Sequence, residues 1–279
     1  MRKIKLVIQY QGTQYQGWQV QPTGPTIQGI FEEILGEICH EKVVLIGSGR
    51  TDSGVHALAQ VAHFSTSHGI DLETLHRALN AKLPYDIVVL SVAEAPGAFD
   101  AQKSAKRKTY TYFFLHSDHK SPFLSSYSWR VWGDLDLEGM QECLDMLVGE
   151  HDFASFKAAD STAKTSVRRI EAARLQRVPL RDVGNSLMGL FGLAGILPAL
   201  GAEDSFHPEA EAGPALIAVT LQGPGFLKHM VRNIVGTLLE VGLRRIGVEE
   251  FREILAARDR TRAGATAPAW GLFLVQVEY

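Results

Sequence analysis

Between Leu45 and Phe64 the sequence reads LIGSGRTDSGVHALAQVAHF, and within it Asp52 stands among Gly47, Gly49 and Gly54, with Arg50 two residues before it. An ionised carboxylate in such a place can act as a nucleophile and form a covalent intermediate. It must then stay deprotonated in a site that a flat substrate could close off from water, and a neighbouring arginine favours the anion. Glycines let backbone approach a substrate closely. A loop aspartate in TDSG can equally cap a turn, and spacing alone does not separate the two readings.

Other chemistries fit the same stretch less well. In a G-x-G-x-x-G dinucleotide loop opening at Gly47, the third glycine would fall at position 52, where Asp52 would face the pyrophosphate. No Gly-Lys-Ser/Thr follows, so a P-loop is excluded. Asp52 and His56 could share a surface, but no third and fourth ligand lies near them, and the HSDH run at His116–His119 reads as surface histidines. No metal is expected. The two cysteines, Cys39 and Cys143, stand in unrelated contexts, which argues against a disulfide framework or a cysteine zinc site and makes a reducing cytoplasm the default.

The elements that would carry this loop can be read from periodicity. Ile4, Leu6, Ile8 and Tyr10 alternate as in a strand, so no export signal is expected at the start, and Ile27, Ile30, Phe31, Ile34, Leu35 and Ile38 follow at helical spacing. KVVLI and QVAHFS read as strands, Asp71 as the N-cap of a helix, and DIVVLSV as another strand. The first half is thus βαββαβ, the ferredoxin-like order. The pattern then restarts. TYTYFFL and YSWRVW are strands, Asp136 caps a helix, SVRRIEAARLQRV is one strand with ALIAVTLQG as partner, residues 226–243 and 248–257 are helices, and GLFLVQVEY closes the chain. An α+β protein follows, with two ferredoxin-like (RRM-like) halves, antiparallel sheets and a central cleft, divided into 1–102 and 103–279. An insertion at about 182–214 interrupts the second half; its apolar part is too short and too broken by Gly and Pro to span a membrane.

The chain has 279 residues and a net charge of -3, yet the charge is unevenly spread. Residues 182–214 hold five acids and no Lys or Arg; setting those five negative charges aside moves the remainder from -3 to +2. Lys103, Lys106, Arg107 and Lys108 cluster, as do Arg244, Arg245, Arg252, Arg258, Arg260 and Arg262. Such clusters can hold phosphates, or can be solvated faces.

GSGRTDSGVHALAQVAHF resembles the G-x-G-R-T-D-x-G-V-H-A signature of the bacterial tRNA pseudouridine synthase A family. YQGTQYQGWQVQP with TIQGIFEE, KRKTYTYFF, GEHDFASFKA, GFLKHMVRNIVGTLLEVG and RAGATAPAWGLFLVQVEY resemble its other blocks, in family order from about residue 7 to residue 279. The resemblance implies a pseudouridine synthase fold and the isomerisation of uridine to pseudouridine at positions 38, 39 and 40 of the tRNA anticodon stem-loop, with no cofactor. It places the nucleophile at Asp52 and the base-stacking tyrosine at Tyr110. It also places the arginine that pairs with the aspartate at Arg232, an arginine that helps extrude the base at Arg50, and a pocket-wall residue at Leu274. Lys106, Arg107 and Lys108 would touch the tRNA backbone. Without the resemblance, Tyr110 would read as a core residue beside Tyr112. A tRNA anticodon arm and a second copy of the chain in a homodimer are the implied partners. An RNA-binding protein that keeps the fold without catalysis, or a nucleotide-binding metabolic enzyme, are the competing readings.

Overall fold

Alternation at the start of the chain becomes strand β1 (Arg2–Tyr10), with Ile4, Leu6, Ile8 and Tyr10 buried. The structure, a computed structural model, describes residues 1–180 and 213–279. The insertion expected at about 182–214 therefore lies outside the described residues except for Gly213 and Pro214. By spatial grouping the chain forms two compact units. One comprises Met1–Thr111, Gln222–Lys228 and Leu272–Tyr279; the other comprises Tyr112–Leu221 and His229–Gly271.

In the first unit the Thr26 side chain accepts from Gly29 N and starts helix α1 (Ile27–Cys39), which ends where His40 turns left-handed at φ 52°. Strand β2 (Ile46–Gly47) leads into the Asp52 loop, and strand β3 (His56–Thr66) leaves it. KVVLI thus yields only a short strand at its end, with Val43 and Leu45 buried outside any ladder. Asp71 accepts from Thr74 N at 2.9 Å and opens helix α2 (Leu72–Lys82), which buries Leu75 and Leu79. Strand β4 (Ile87–Ala95) follows, and β1 lies antiparallel between β3 and β4. The order of elements to this point is βαββαβ. β2 pairs antiparallel with β3, whereas the closing strand β11 (Leu272–Glu278) pairs parallel with β3 through Phe273 and Leu274. β11 also neighbours strand β5 (Arg107–His116), whose first residues belong to this unit.

In the second unit, strand β6 (Trp129–Val131) lies parallel to the end of β5. Asp136 accepts from Gly139 N at 2.8 Å and caps helix α3 (Leu137–Met146). SVRRIEAARLQRV is two strands, not one. β7 (Gly149–Asp152) pairs with β8 (Val167–Ile170) in a separate ladder, while β9 (Ala172–Pro179) lies beside β10 (Ala215–Gly223). Periodicity shows that a segment is extended and says nothing about a change of partner at Glu171.

The helix expected over 226–243 is α4 (Met230–Gly242). His229, left-handed at φ 61°, precedes it, so Phe226 lies outside the helix and in the first unit. Helix α5 (Val248–Ala257) has the expected bounds. No described helix is long and apolar enough to cross a membrane.

Candidate active site

Asp52 sits in the turn between β2 and β3, half-buried, with Arg50 exposed beside it. The turn joins strand to strand, so no helix N-terminus stands behind Gly47–Gly49 to receive a pyrophosphate. Among the described residues no group of three or more His, Cys, Asp or Glu side chains could hold a metal.

The loop is held by the segment after β1. Trp18 N donates to Thr51 O at 3.0 Å, and Gly54 N donates to Tyr15 O at 3.4 Å, which fixes the backbone on both sides of Asp52. The Ser53 hydroxyl also donates to Tyr15 O, and the Tyr10 and Thr51 hydroxyls share a bond of 2.7 Å. The approach is close enough to require glycine. A Cβ on Gly17, which is left-handed at φ 87°, would lie 2.5 Å from Thr51 O. One on Gly12 would lie 2.0 Å from Val55 O. Tyr15 is itself anchored, because its hydroxyl donates to Asp86 at 2.5 Å, and burial followed by that carboxylate holds its phenol well above the usual range.

The other end of the loop rests on side chains. Ser48 N donates to Val61 O, its hydroxyl bonds Gln60 Oε1 at 2.6 Å, and Gln60 Nε2 donates to Gly49 O at 3.0 Å. Lys108 Nζ, half-buried under the turn, donates to Ser48 O at 2.6 Å. Burial pushes its pKa below the ordinary lysine value.

Tyr110 stands two residues along β5 from Lys108, hence on the same face of the strand. It is 9% exposed and edge-on to Phe226 at 5.2 Å. Burial, then the charge influence of Tyr10 and Asp52, raises its phenol, so Asp52 and Tyr110 lie within electrostatic reach of each other. Leu274 is fully buried on β11, in register with Ala57 of β3; its neighbour Phe273 stacks on His56 at 4.6 Å. Arg107 pairs with Glu278 at 3.4 Å, and Lys106 is exposed with its backbone N–H on Glu278 O.

Arg232 belongs to the second unit, on the first turn of α4. Its Nε donates to Ala267 O at 2.8 Å, and Ala267 N donates back to Arg232 O. The loop carrying Ala267 is strapped to α4: Thr266 and Arg260 both donate to Asn233 Oδ1, and Gly264 N donates to Thr237 Oγ1. A Cβ on Gly236 would lie 1.8 Å from Ala265 O, so helix and loop meet backbone to backbone.

Sequence reasoning missed Phe226 as the partner of Tyr110, since helical spacing put it on α4. It also missed Thr51, Gln60 and Tyr15 as loop anchors. The GTQYQG run carries the signal for the last of these, because two glycines around an aromatic residue mark a close backbone approach.

The model of the tRNA pseudouridine synthase family matches residues 6–102 and 144–279. Among curated relatives, "tRNA pseudouridine synthase A" of Caldicellulosiruptor bescii, of Acetivibrio thermocellus and of Geotalea uraniireducens are each 40% identical to this chain over 279 residues, covering all of both chains. The mixed α/β architecture, with a mostly antiparallel sheet and five helices among the described residues, fits that family.

Proposed function

The chain belongs to the tRNA pseudouridine synthase family, and from that premise we propose that it acts at positions 38, 39 and 40 of the tRNA anticodon stem-loop with Asp52 as nucleophile. It is an isomerase that converts uridine in tRNA to pseudouridine. In that reaction the bond between uracil N1 and ribose C1′ breaks, a bond from C5 to C1′ forms, the proton on C5 leaves and N1 gains one. Atoms and electrons balance without an outside oxidant or reductant.

Asp52 attacks the bound nucleotide and holds one fragment while the base turns. Tyr110 stacks on the extruded uracil, and Leu274 closes the pocket behind it. Arg50 helps to displace the base from the stem, and Arg232 keeps the role of the arginine partner that the family pattern assigns to it. A base inside a stem must be extruded before chemistry, at a cost of a few kcal/mol. Stacking on an aromatic ring returns about 1–3 kcal/mol of that. Lys106 and Arg107 meet the phosphate backbone.

The observation that carries this reading is the fixing of the loop on both flanks of Asp52, by Trp18 N on Thr51 O and Gly54 N on Tyr15 O, with Tyr110 within electrostatic reach. Such fixing is what a nucleophile needs and a turn cap does not. The positional claim is tested by treating tRNA transcripts bearing uridine at one position at a time and mapping pseudouridine by chemical labelling and primer extension. Product at 38, 39 and 40 is expected. Product confined to another arm would overturn the assignment.

A further inference from the structure

Lys108 sits within a run of basic residues, where contact with phosphate is the obvious reading. Its geometry points elsewhere. The ammonium is turned under the Asp52 loop and donates to Ser48 O at 2.6 Å. Among the described residues, and its own chain neighbours aside, a Cβ on Gly49 would meet within 4 Å only atoms of Lys108, with Nζ at 3.1 Å, so the amine fills the space against which Gly49 lies. Gln60 takes the next carbonyl, Gly49 O, and also binds the Ser48 hydroxyl. Two successive loop carbonyls are therefore held from below, one by a cation and one by an amide. Lys108 and Tyr110 share one face of β5, so a single strand carries both the stacking ring and the support of the loop.

We propose that Lys108 is a positioning residue that fixes the Ser48–Asp52 turn relative to Tyr110, and that it is not a phosphate contact. This rests on the proposed role of Asp52 only where turnover is measured. A charged group bonded to a carbonyl gives a stronger hydrogen bond than a neutral donor, by roughly a factor of two. Burial opposes the charge, and the bond to Ser48 O is the contact that offsets the loss of water around the amine.

The test compares wild type with Lys108→Met in two assays. Hydrogen exchange of the peptide spanning residues 47–53 reads the turn without reference to activity, and faster exchange in the variant is expected. Single-turnover tritium release from tRNA labelled at uridine C5 should fall by roughly 10²-fold at saturating enzyme, the scale of a small misplacement of reacting groups. The dissociation constant for tRNA and its salt dependence should stay unchanged. A second pair of variants guards against a merely structural effect. Gly49→Ala should slow release in the presence of Lys108 and have no effect on top of Lys108→Ala, since Lys108 is what the added methyl meets among the described residues. Unchanged exchange would overturn the proposal. So would weaker tRNA binding with a shallower salt slope and an unchanged saturated rate, which is the signature of a phosphate contact. If wild type releases no tritium, the reading of Asp52 fails, while the exchange result still decides what Lys108 holds.

Discussion

The turn that carries Asp52 is held through the residues around it: Thr51 O, Ser53 Oγ and Gly54 N on the side of Trp18 and Tyr15, and Ser48 O on the side of Lys108. Two predictions belong to this scale. Replacing Tyr110 with Ala should weaken the extruded-base complex by about 1–3 kcal/mol, read as a rise in the concentration of enzyme that half-saturates the single-turnover rate. Tyr110→Phe should keep most of that binding. Because burial raises the Tyr110 phenol, wild type and Tyr110→Phe should also show the same rate profile into alkaline pH. The second prediction concerns Lys108, whose pKa is lowered by burial. Between that lowered value and the ordinary lysine value the unfolded chain holds a proton that the folded chain has released, so stability rises with pH across this window. Urea unfolding at neutral and at alkaline pH should show wild type gaining relative to Lys108→Met; a relative loss would mean that the Lys108 pKa is raised in the fold and not lowered.

At the scale of elements, the loop works because the segment Gly12–Trp18 lies against it with no room for a side chain. Gly17→Ala combines a left-handed backbone with a Cβ 2.5 Å from Thr51 O, and should lower stability by about 1–3 kcal/mol by urea midpoint as well as slow turnover. Gly236→Ala should do the same for the packing of α4 on the loop that presents Ala267 O to Arg232. Much of this level was legible. The caps at Asp71 and Asp136, the alternation of β1 and the bounds of α5 followed from local pattern, because each depends on residues a few positions apart. What pattern could not show is set by distant partners. The parallel pairing of Leu274 with Ala57, the change of partner at Glu171 and the placement of Phe226 against Tyr110 all join residues far apart in sequence. The start of α4 was missed because the left-handed turn at His229 has no glycine or asparagine to announce it.

Over the whole molecule, the basic residues of the second unit are less available than their crowding in the sequence suggests. Arg244, Arg245, Arg252, Arg258 and Arg262 pair with Asp134, Glu240, Glu249, Asp152 and Glu253. Exposed pairs of this kind are screened by water and salt and add little to stability, so a phosphate can displace the carboxylate. Glu249→Gln should release Arg252 and tighten tRNA binding at low salt, with the gain vanishing at high salt; no change at either would exclude Arg252 from the RNA contact. The homodimer that the family resemblance implies is checked by sedimentation equilibrium, where twice the chain mass is expected and a monomer at all concentrations would rule it out. The central claim is that Asp52 performs the chemistry, and the most direct measurement is tritium release from uridine C5 of unmodified tRNA by wild type and by Asp52→Asn, with tRNA binding measured in parallel. Release by wild type and a loss of about 10⁴-fold or more in the variant, with binding retained, is the predicted result. Release by Asp52→Asn at the wild-type rate would contradict it.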